Sequence, residues 1–181
     1  MTEEELVTAA REGDDDAFKE LVMRFEPIVA RTVIGMLGGC AEAEDVGQET
    51  FIRFYKALPR FRGESSVRTY LTRIAMNLSL NELKRRKRRL TRFAGKPVDE
   101  FRDLADEKHD DRGDVDKERV WMAIGQLEEK FRSVVVLRLI DGYSTEETAR
   151  ILGIPLGTVL SRLSRGQKRL RDLLEPHIGV A

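Results

Sequence analysis

The stretch that decides the fold is Ser144-Thr145-Glu146-Glu147-Thr148-Ala149-Arg150-Ile151-Leu152-Gly153-Ile154-Pro155-Leu156-Gly157-Thr158-Val159. Ser144 with Glu147 three residues later is a capping box, in which each side chain satisfies a backbone N–H that the first helical turn leaves open. A short helix to about Leu152 follows. Ala149 is small enough for a second helix to cross closely there, and Gly153 tolerates the positive φ of a tight turn. Pro155 suits the first position of the next helix, which runs to about Leu174, and Val159 packs that helix back on the first. These spacings describe a helix-turn-helix. An ordinary helical hairpin with a solvated face is the plainer reading, but hairpins rarely combine this cap, this Ala–Gly–Val spacing and a second helix as basic as this one.

Gly157–Arg171 holds Arg162, Arg165, Lys168, Arg169 and Arg171 with no acid. In a helix-turn-helix the N-terminal part of the second helix enters the major groove. Thr158, Leu160, Ser161, Arg162, Ser164, Arg165 and Lys168 lie on the side of this helix that would face DNA. Arginine there reads guanine bidentately, while Ser, Thr and Lys hold phosphates.

Working back toward the N-terminus, Val120, Ile124 and Leu127 and then Val134–Leu139 continue the helical period, ending at Gly142. Three consecutive valines favour a strand by propensity, but no partner strand is evident. Residues 93–116 are rich in Asp and Glu, carry Gly95, Pro97 and Gly113, and have few apolar anchors, which predicts an acidic flexible linker. Before it, Phe18, Leu21, Val22, Phe25, Val29, Val33 and Leu37 trace one helix face between Asp14–Asp16 and Gly38-Gly39, with a kink possible at Pro27. A helix from about Glu42 to Leu58 and another from about Ser66 to Arg89 follow, separated by the loop Arg60–Ser66. The fold class is all-α. Two small helical domains, 1–92 and 117–181, are joined by the linker 93–116.

Net charge is zero, but the charge is segregated. The first twenty residues are acidic, and Lys84–Arg92 holds seven basic residues and no acid. Such patches point to a polyanion met by part of the surface. Lys84, Arg85, Arg86, Lys87, Arg88 and Arg89 are candidates for phosphate contacts on duplex; a solvated helix end is the bland alternative. With one cysteine, Cys40, no internal disulfide forms. The acidic N-terminus is unlike a secretory signal, and no apolar run approaches a membrane span, so no membrane insertion and a cytoplasmic location are expected. No cofactor, metal or catalytic residue is expected: His109 and His177 are the only histidines, and no ligand cluster or phosphate loop stands out.

At this point nearly the whole chain, from about Asp16 to Leu174 outside the linker, resembles the extracytoplasmic-function sigma factors, the smallest class of the bacterial sigma-70 family. Ala43-Glu44-Asp45-Val46-Gly47-Gln48-Glu49-Thr50-Phe51 resembles the helix that docks on core RNA polymerase, with Asp45, Gln48 and Glu49 on one stripe; a larger residue commonly stands at Gly47. Arg60-Phe61-Arg62-Gly63-Glu64-Ser65-Ser66 resembles the loop that captures a −10 base. Thr69–Asn77 resembles the helix that holds the melted strand. Here Tyr70 replaces a frequent tryptophan, and Tyr70, Arg73 and Asn77 are candidate contacts.

Leu127 through Ser161 resembles the −35 reader, with Glu128 where proline is typical and Leu160 where a basic residue is frequent. The resemblance implies region two and region four domains. It implies as partners the clamp of the largest core subunit, the flap of the second largest, promoter DNA as duplex and melted strand, and an anti-sigma factor. It also implies stress or envelope responsiveness. Base capture fits the physics of opening DNA without ATP, because a flipped base recovers its unstacking cost by stacking and edge hydrogen bonds. Phe61 and Tyr70 fit a stacking wall, or simply core. A stand-alone helix-turn-helix regulator, binding symmetric duplex as a dimer, is the rival; the first domain shows neither the ligand pocket nor the phosphoacceptor pattern it would need.

Overall fold

The computed structural model describes residues 1–92 and 112–178, all helix and connecting turns with no strand among them. The helices are α1 (Glu3–Arg11), α2 (Asp15–Leu37), α3 (Ala41–Ala57), α4 (Val67–Arg92), α5 (Arg112–Gln126), α6 (Glu129–Val135), α7 (Thr145–Leu152) and α8 (Leu156–Ile178). A 3₁₀ turn, Leu58–Arg60, follows α3, and a π turn, Val136–Ile140, follows α6. The expected linker lies outside the described residues except at its end, where α5 begins.

The first bundle is α1 to α4. Asp14 caps α2 through Ala17, and α2 ends at Gly38, whose φ of 80° favours glycine. Pro27 sits inside α2 without ending it. Leu21, Phe25, Val29, Val33 and Leu37 of α2 meet Phe54 of α3 and Leu71, Ala75 and Met76 of α4 in one apolar core. Helix α1 is not among the helices read from the sequence. Thr2 and Glu5 form a capping box of the same kind as Ser144 and Glu147, and Leu6, Val7 and Ala10 are buried beneath it.

The second bundle is α5 to α8. The capping box at Ser144 is present, and Gly153 adopts the left-handed conformation (φ 64°) that the turn requires. Pro155 stands one position earlier than expected: Thr158 and Val159 both donate to its carbonyl, so it precedes the first helical residue, Leu156. Val159 is fully buried. Gly166 is the close approach between α6 and α8, since a Cβ there would lie 2.8 Å from Val135.

The hydrophobic run at Val134–Ile140 is helical but changes pitch. Asp141 N–H donates to the Val136 carbonyl (2.9 Å), a π-type span, and Tyr143 N–H donates to Leu137 (2.9 Å). The looser pitch turns Asp141 toward the first bundle. The two bundles then share one continuous core, with Val136 packed on Gly35 and Trp121 beside it.

Phe54 has no exposed surface and stands in edge contact with Phe61 (5.9 Å) and tilted contact with Tyr70 (6.0 Å). Phe54→Ala is expected to lower unfolding stability by about 3–5 kcal/mol. Chemical denaturation followed by circular dichroism measures this, and a loss under about 1 kcal/mol contradicts the packing described.

Candidate nucleic-acid interface

The loop between the 3₁₀ turn and α4 is built by contacts from outside it. Arg11 of α1 donates to the carbonyls of Leu58 (3.2 Å) and Phe61 (2.7 Å). Glu3 accepts from the Val67 N–H (3.0 Å), capping α4 from a distance. Ser66 accepts from the Thr69 N–H (3.2 Å) at the same helix start. Gly63 turns the chain at φ 71°. Neither Glu3 nor Arg11 is a site candidate by sequence; the overlooked capping box at Thr2 is the signal that would have revealed their helix.

This loop lines a cleft of about 600 Å³, with Arg60, Phe61, Arg62, Glu64, Ser65, Ser66, Thr69, Tyr70 and Arg73 on its walls. Phe61 and Tyr70 meet edge to face at 5.0 Å. They pack on the core and also face the cleft, so the wall and core readings describe the same two rings. Glu147 and Arg150 of α7 close one side. Glu147 accepts from the Ser144 N–H (2.7 Å), and Arg60, Arg62, Arg73 and Arg150 outweigh Glu64 and Glu147 around the cleft, which favours a positive potential. Asn77 is exposed further along α4 and does not line the cleft.

The basic end of α4 divides. Glu82 is buried and holds Arg85 (2.6 Å) and Arg89 (3.2 Å). Arg86 is turned inward with its side chain 11% exposed, donating to the Leu37 carbonyl (3.2 Å) and the Cys40 sulfur (2.8 Å) beside Glu42 (3.5 Å). It closes the C-terminal end of α2 and is not presented to a ligand, unlike the exposed Lys84, Lys87 and Arg88.

On α3, Asp45 and Gln48 are exposed, and Glu49 is half-exposed and paired with Arg53 (2.8 Å). An apolar groove of about 640 Å³ runs beside them between α2 and α3, lined by residues including Val22, Val33, Ile34, Gly47 and Phe51. A Cβ at Gly47 would meet nothing within 4 Å, so the residue leaves that side of the helix open.

On α8, Leu160, Ser161, Ser164, Arg165 and Lys168 are exposed, and Thr158 and Arg162 half-buried. Arg162, Arg165 and Lys168 pair with no acid among the described residues. Ser161 Oγ donates to the Thr158 carbonyl (3.1 Å). Glu128 holds Lys130 (3.0 Å) and Arg169 and so ties α6 to α8. These two cations lower its pKa.

Polar contacts flank the apolar core that the two bundles share. Arg132, 7% exposed, donates to Met36 of α2 (2.7 Å) and to the carbonyls of Leu127 and Gly125. Asp141 accepts from Thr32 Oγ1 (2.8 Å) through Oδ2, and Arg31 Nε stands 3.5 Å from Oδ1. Arg68 of α4 donates to the Asp141 carbonyl and lies over the Tyr143 ring at 4.8 Å. Tyr143 OH and Thr72 Oγ1 share a hydrogen bond of 2.8 Å.

Residues 21–89 match the family model for sigma-70 region 2, and residues 117–170 match that for sigma-70 region 4. The chain belongs to the extracytoplasmic-function sigma factors of the sigma-70 family. This sigma factor is 33% identical to the RNA polymerase sigma-H factor of Pseudomonas aeruginosa, over 96% of its own length and 94% of that protein. It is also 33% identical to the ECF RNA polymerase sigma-E factor of Escherichia coli, over 98% and 97%.

Two solved structures are similar to it. One is the sigma factor RpoE in complex with the anti-sigma factor NepR from Bartonella quintana (TM-score 0.73, 25% identity, 88% of this chain and 98% of that one). The other is CnrH in complex with the cytosolic domain of CnrY (TM-score 0.70, 27% identity, 97% and 98%). As a sigma factor it binds core RNA polymerase and directs promoter-specific initiation. No described helix is long and apolar enough to cross a membrane, and the described residues hold no metal-ligand cluster.

Burial pushes the Asp141 carboxyl up to about 6 from its ordinary 3.8, against the opposing pull of the Thr32 hydrogen bond and of Arg31 and Arg68. Tyr143, beside it, is raised by burial as well. The folded form therefore holds the proton more tightly than the unfolded chain. That contribution to stability is complete below pH 3.8 and is lost as pH rises through about 6. The stability of Asp141→Asn relative to the parent should therefore climb across this window and then level off. Denaturation of both proteins at a series of pH values reads it, and parallel profiles contradict it.

Proposed function

We propose that residues 1–92 form the unit that docks on core polymerase and opens the −10 element, that 93–116 is a linker, and that 117–181 reads the −35 element. The observation that carries the reading is the cleft at Arg60–Ser66: two aromatic rings and several arginines around a glycine turn, at the start of the helix that resembles the strand-holding helix. A flipped base would enter the cleft and stack on the wall that Phe61 and Tyr70 form, where stacking is worth about 1–3 kcal/mol. Gly63, Glu64, Ser65 and Ser66 would offer backbone and hydroxyl groups to its edge. Arg60, Arg62 and Arg73 would take the flanking phosphates, and Asn77 would mark the upstream edge of the melted region. Lys84, Lys87 and Arg88, with the outer parts of Arg85 and Arg89, would follow the duplex backbone, which makes affinity steeply salt-dependent.

Asp45, Gln48 and Glu49 would meet basic residues on the clamp of the largest core subunit, and the second bundle would rest on the flap of the second largest. Thr158, Leu160, Ser161, Arg162, Ser164, Arg165 and Lys168 would contact the −35 duplex, with the arginines reading base edges. An exposed leucine at 160 offers apolar contact, as to a thymine methyl, where a cation would seek guanine or phosphate.

The likeness to a sigma factor solved in complex with an anti-sigma factor supports control by an anti-sigma factor. The protein would act in the cytoplasm in response to stress or envelope signals, without catalysis, cofactor or metal of its own.

Asp45→Lys with Glu49→Lys should abolish co-purification with core polymerase while helicity is unchanged; normal co-purification would refute the docking surface. Arg162→Ala or Arg165→Ala should cost about 1–3 kcal/mol on the preferred −35 sequence and less on others. Unchanged −35 footprints of the reconstituted holoenzyme would refute that assignment.

A further inference from the structure

The loop that lines the base cleft is held at both ends by one short helix. At its entry the Arg11 guanidinium forks onto two carbonyls, Leu58 through Nε (3.2 Å) and Phe61 through Nη2 (2.7 Å). At its exit Glu3 Oε1 accepts from the N–H of Val67 (3.0 Å), the first residue of α4. Glu3 and Arg11 are the two end residues of α1, about 12 Å apart along its axis. The helix therefore sets the span between the ends of the loop.

Between those ends Arg62, Gly63 and Glu64 are exposed, and Gly63 turns the chain at φ 71°. Such a stretch has many conformations open to it unless its ends are fixed. The backbone that Arg11 holds at Phe61 also carries the ring that stands edge-on to Tyr70 (5.0 Å) in the cleft wall. Helix α1 is seated by other residues: Leu6, Val7 and Ala10 are buried, and Thr2 with Glu5 caps it. Glu3 and Arg11 both lie ahead of residues 21–89, the stretch that matches the region 2 model.

We propose that α1 is a strut that pre-sets the base-capture loop, and that Glu3 and Arg11 are positioning residues for recognition of the flipped −10 base, neither of them touching DNA. This rests on the reading of the cleft as the base pocket. An ordered loop loses less freedom when the base arrives, which raises affinity for that base and not for the phosphates around it. Arg11 also borders a shallow pocket with Arg60 and Arg62, so a direct phosphate contact is the alternative to be separated. The opposite charges of the two residues separate it. Acting on DNA through charge, loss of Arg11 would weaken binding and loss of Glu3 would strengthen it. Acting by position, both losses weaken capture of the base.

Holoenzyme reconstituted from core polymerase and each variant is equilibrated with a random-sequence pool of short single-stranded DNA. Total binding is followed over a salt series, and the bound strands are sequenced. The parent should enrich one short motif. Arg11→Ala and Glu3→Ala should each lower that enrichment about tenfold, with total binding and its salt slope unchanged. Glu3→Gln keeps an acceptor for the Val67 N–H and should restore most of the enrichment. Arg11→Lys keeps the charge without the fork; it should restore only part, and it carries the test if Arg11→Ala does not fold. Glu4→Ala makes the same charge change in the same turn, at an exposed residue with no side-chain contact to the loop, and should enrich as the parent does.

Parental enrichment in both alanine variants overturns the proposal. So does full recovery by Arg11→Lys, or a salt slope reduced by about one in Arg11→Ala, since either makes Arg11 a phosphate contact. Tighter pool binding by Glu3→Ala, or loss of core binding by the variants, overturns it as well. A parent that enriches no motif overturns the reading of the cleft itself.

Discussion

A carboxylate kept out of water governs how this molecule is put together. Asp141 projects from the π turn into the first bundle, where one oxygen has Thr32 and the other has only a distant Arg31. A buried carboxylate tolerates such a place only with compensating donors. Those donors come from α2, and the Asp141 backbone carbonyl takes Arg68 of α4, so one residue of the second bundle is tied to two helices of the first. The π turn is what makes this possible. A regular helix through Val136–Ile140 would place Asp141 elsewhere on the surface; the i to i+5 bond to Val136 is the local irregularity that frequently accompanies function.

The same economy appears at the nucleic-acid surfaces. Each is an exposed stripe whose reverse side is core. Phe61 and Tyr70 back onto Phe54 while facing the cleft, and α8 buries Val159 while presenting Arg165 and Lys168. Rigid support behind a binding face reduces the ordering cost on association. The acidic stripe of α3 is supported in the same way by Val46, Thr50 and Phe54 beneath it.

Periodicity made the long helices legible, because α2, α3, α4 and α8 each bury one stripe and expose another. The helix-turn-helix was legible in detail, since capping boxes and left-handed glycines are local chemistry; Pro155 was misplaced by one residue only. What was hidden depends on distant partners. Arg86 lies in a run of cations and looks like its neighbours, yet Glu82, Glu42 and the end of α2 draw it inward. Arg132, Asp141, Tyr143 and Thr72 carry no motif, and their roles exist only once the bundles meet. Gly166 looked like an unremarkable helical residue until α6 was laid against it. Helix α1 is marked by the Thr2–Glu5 capping box, but its buried face is only Leu6, Val7 and Ala10 within an otherwise acidic segment, too short a stripe for periodicity to reveal.

The central claim is that this chain, by its own contacts, selects promoters for core RNA polymerase. The most direct measurement is transcription in vitro by purified core on a library of randomised templates, with and without the protein, followed by sequencing of the transcripts. The account predicts transcripts that arise only when the protein is present and that share one −10 and one −35 element upstream of their starts. The same set of transcripts in both reactions, with no shared upstream elements, would contradict it.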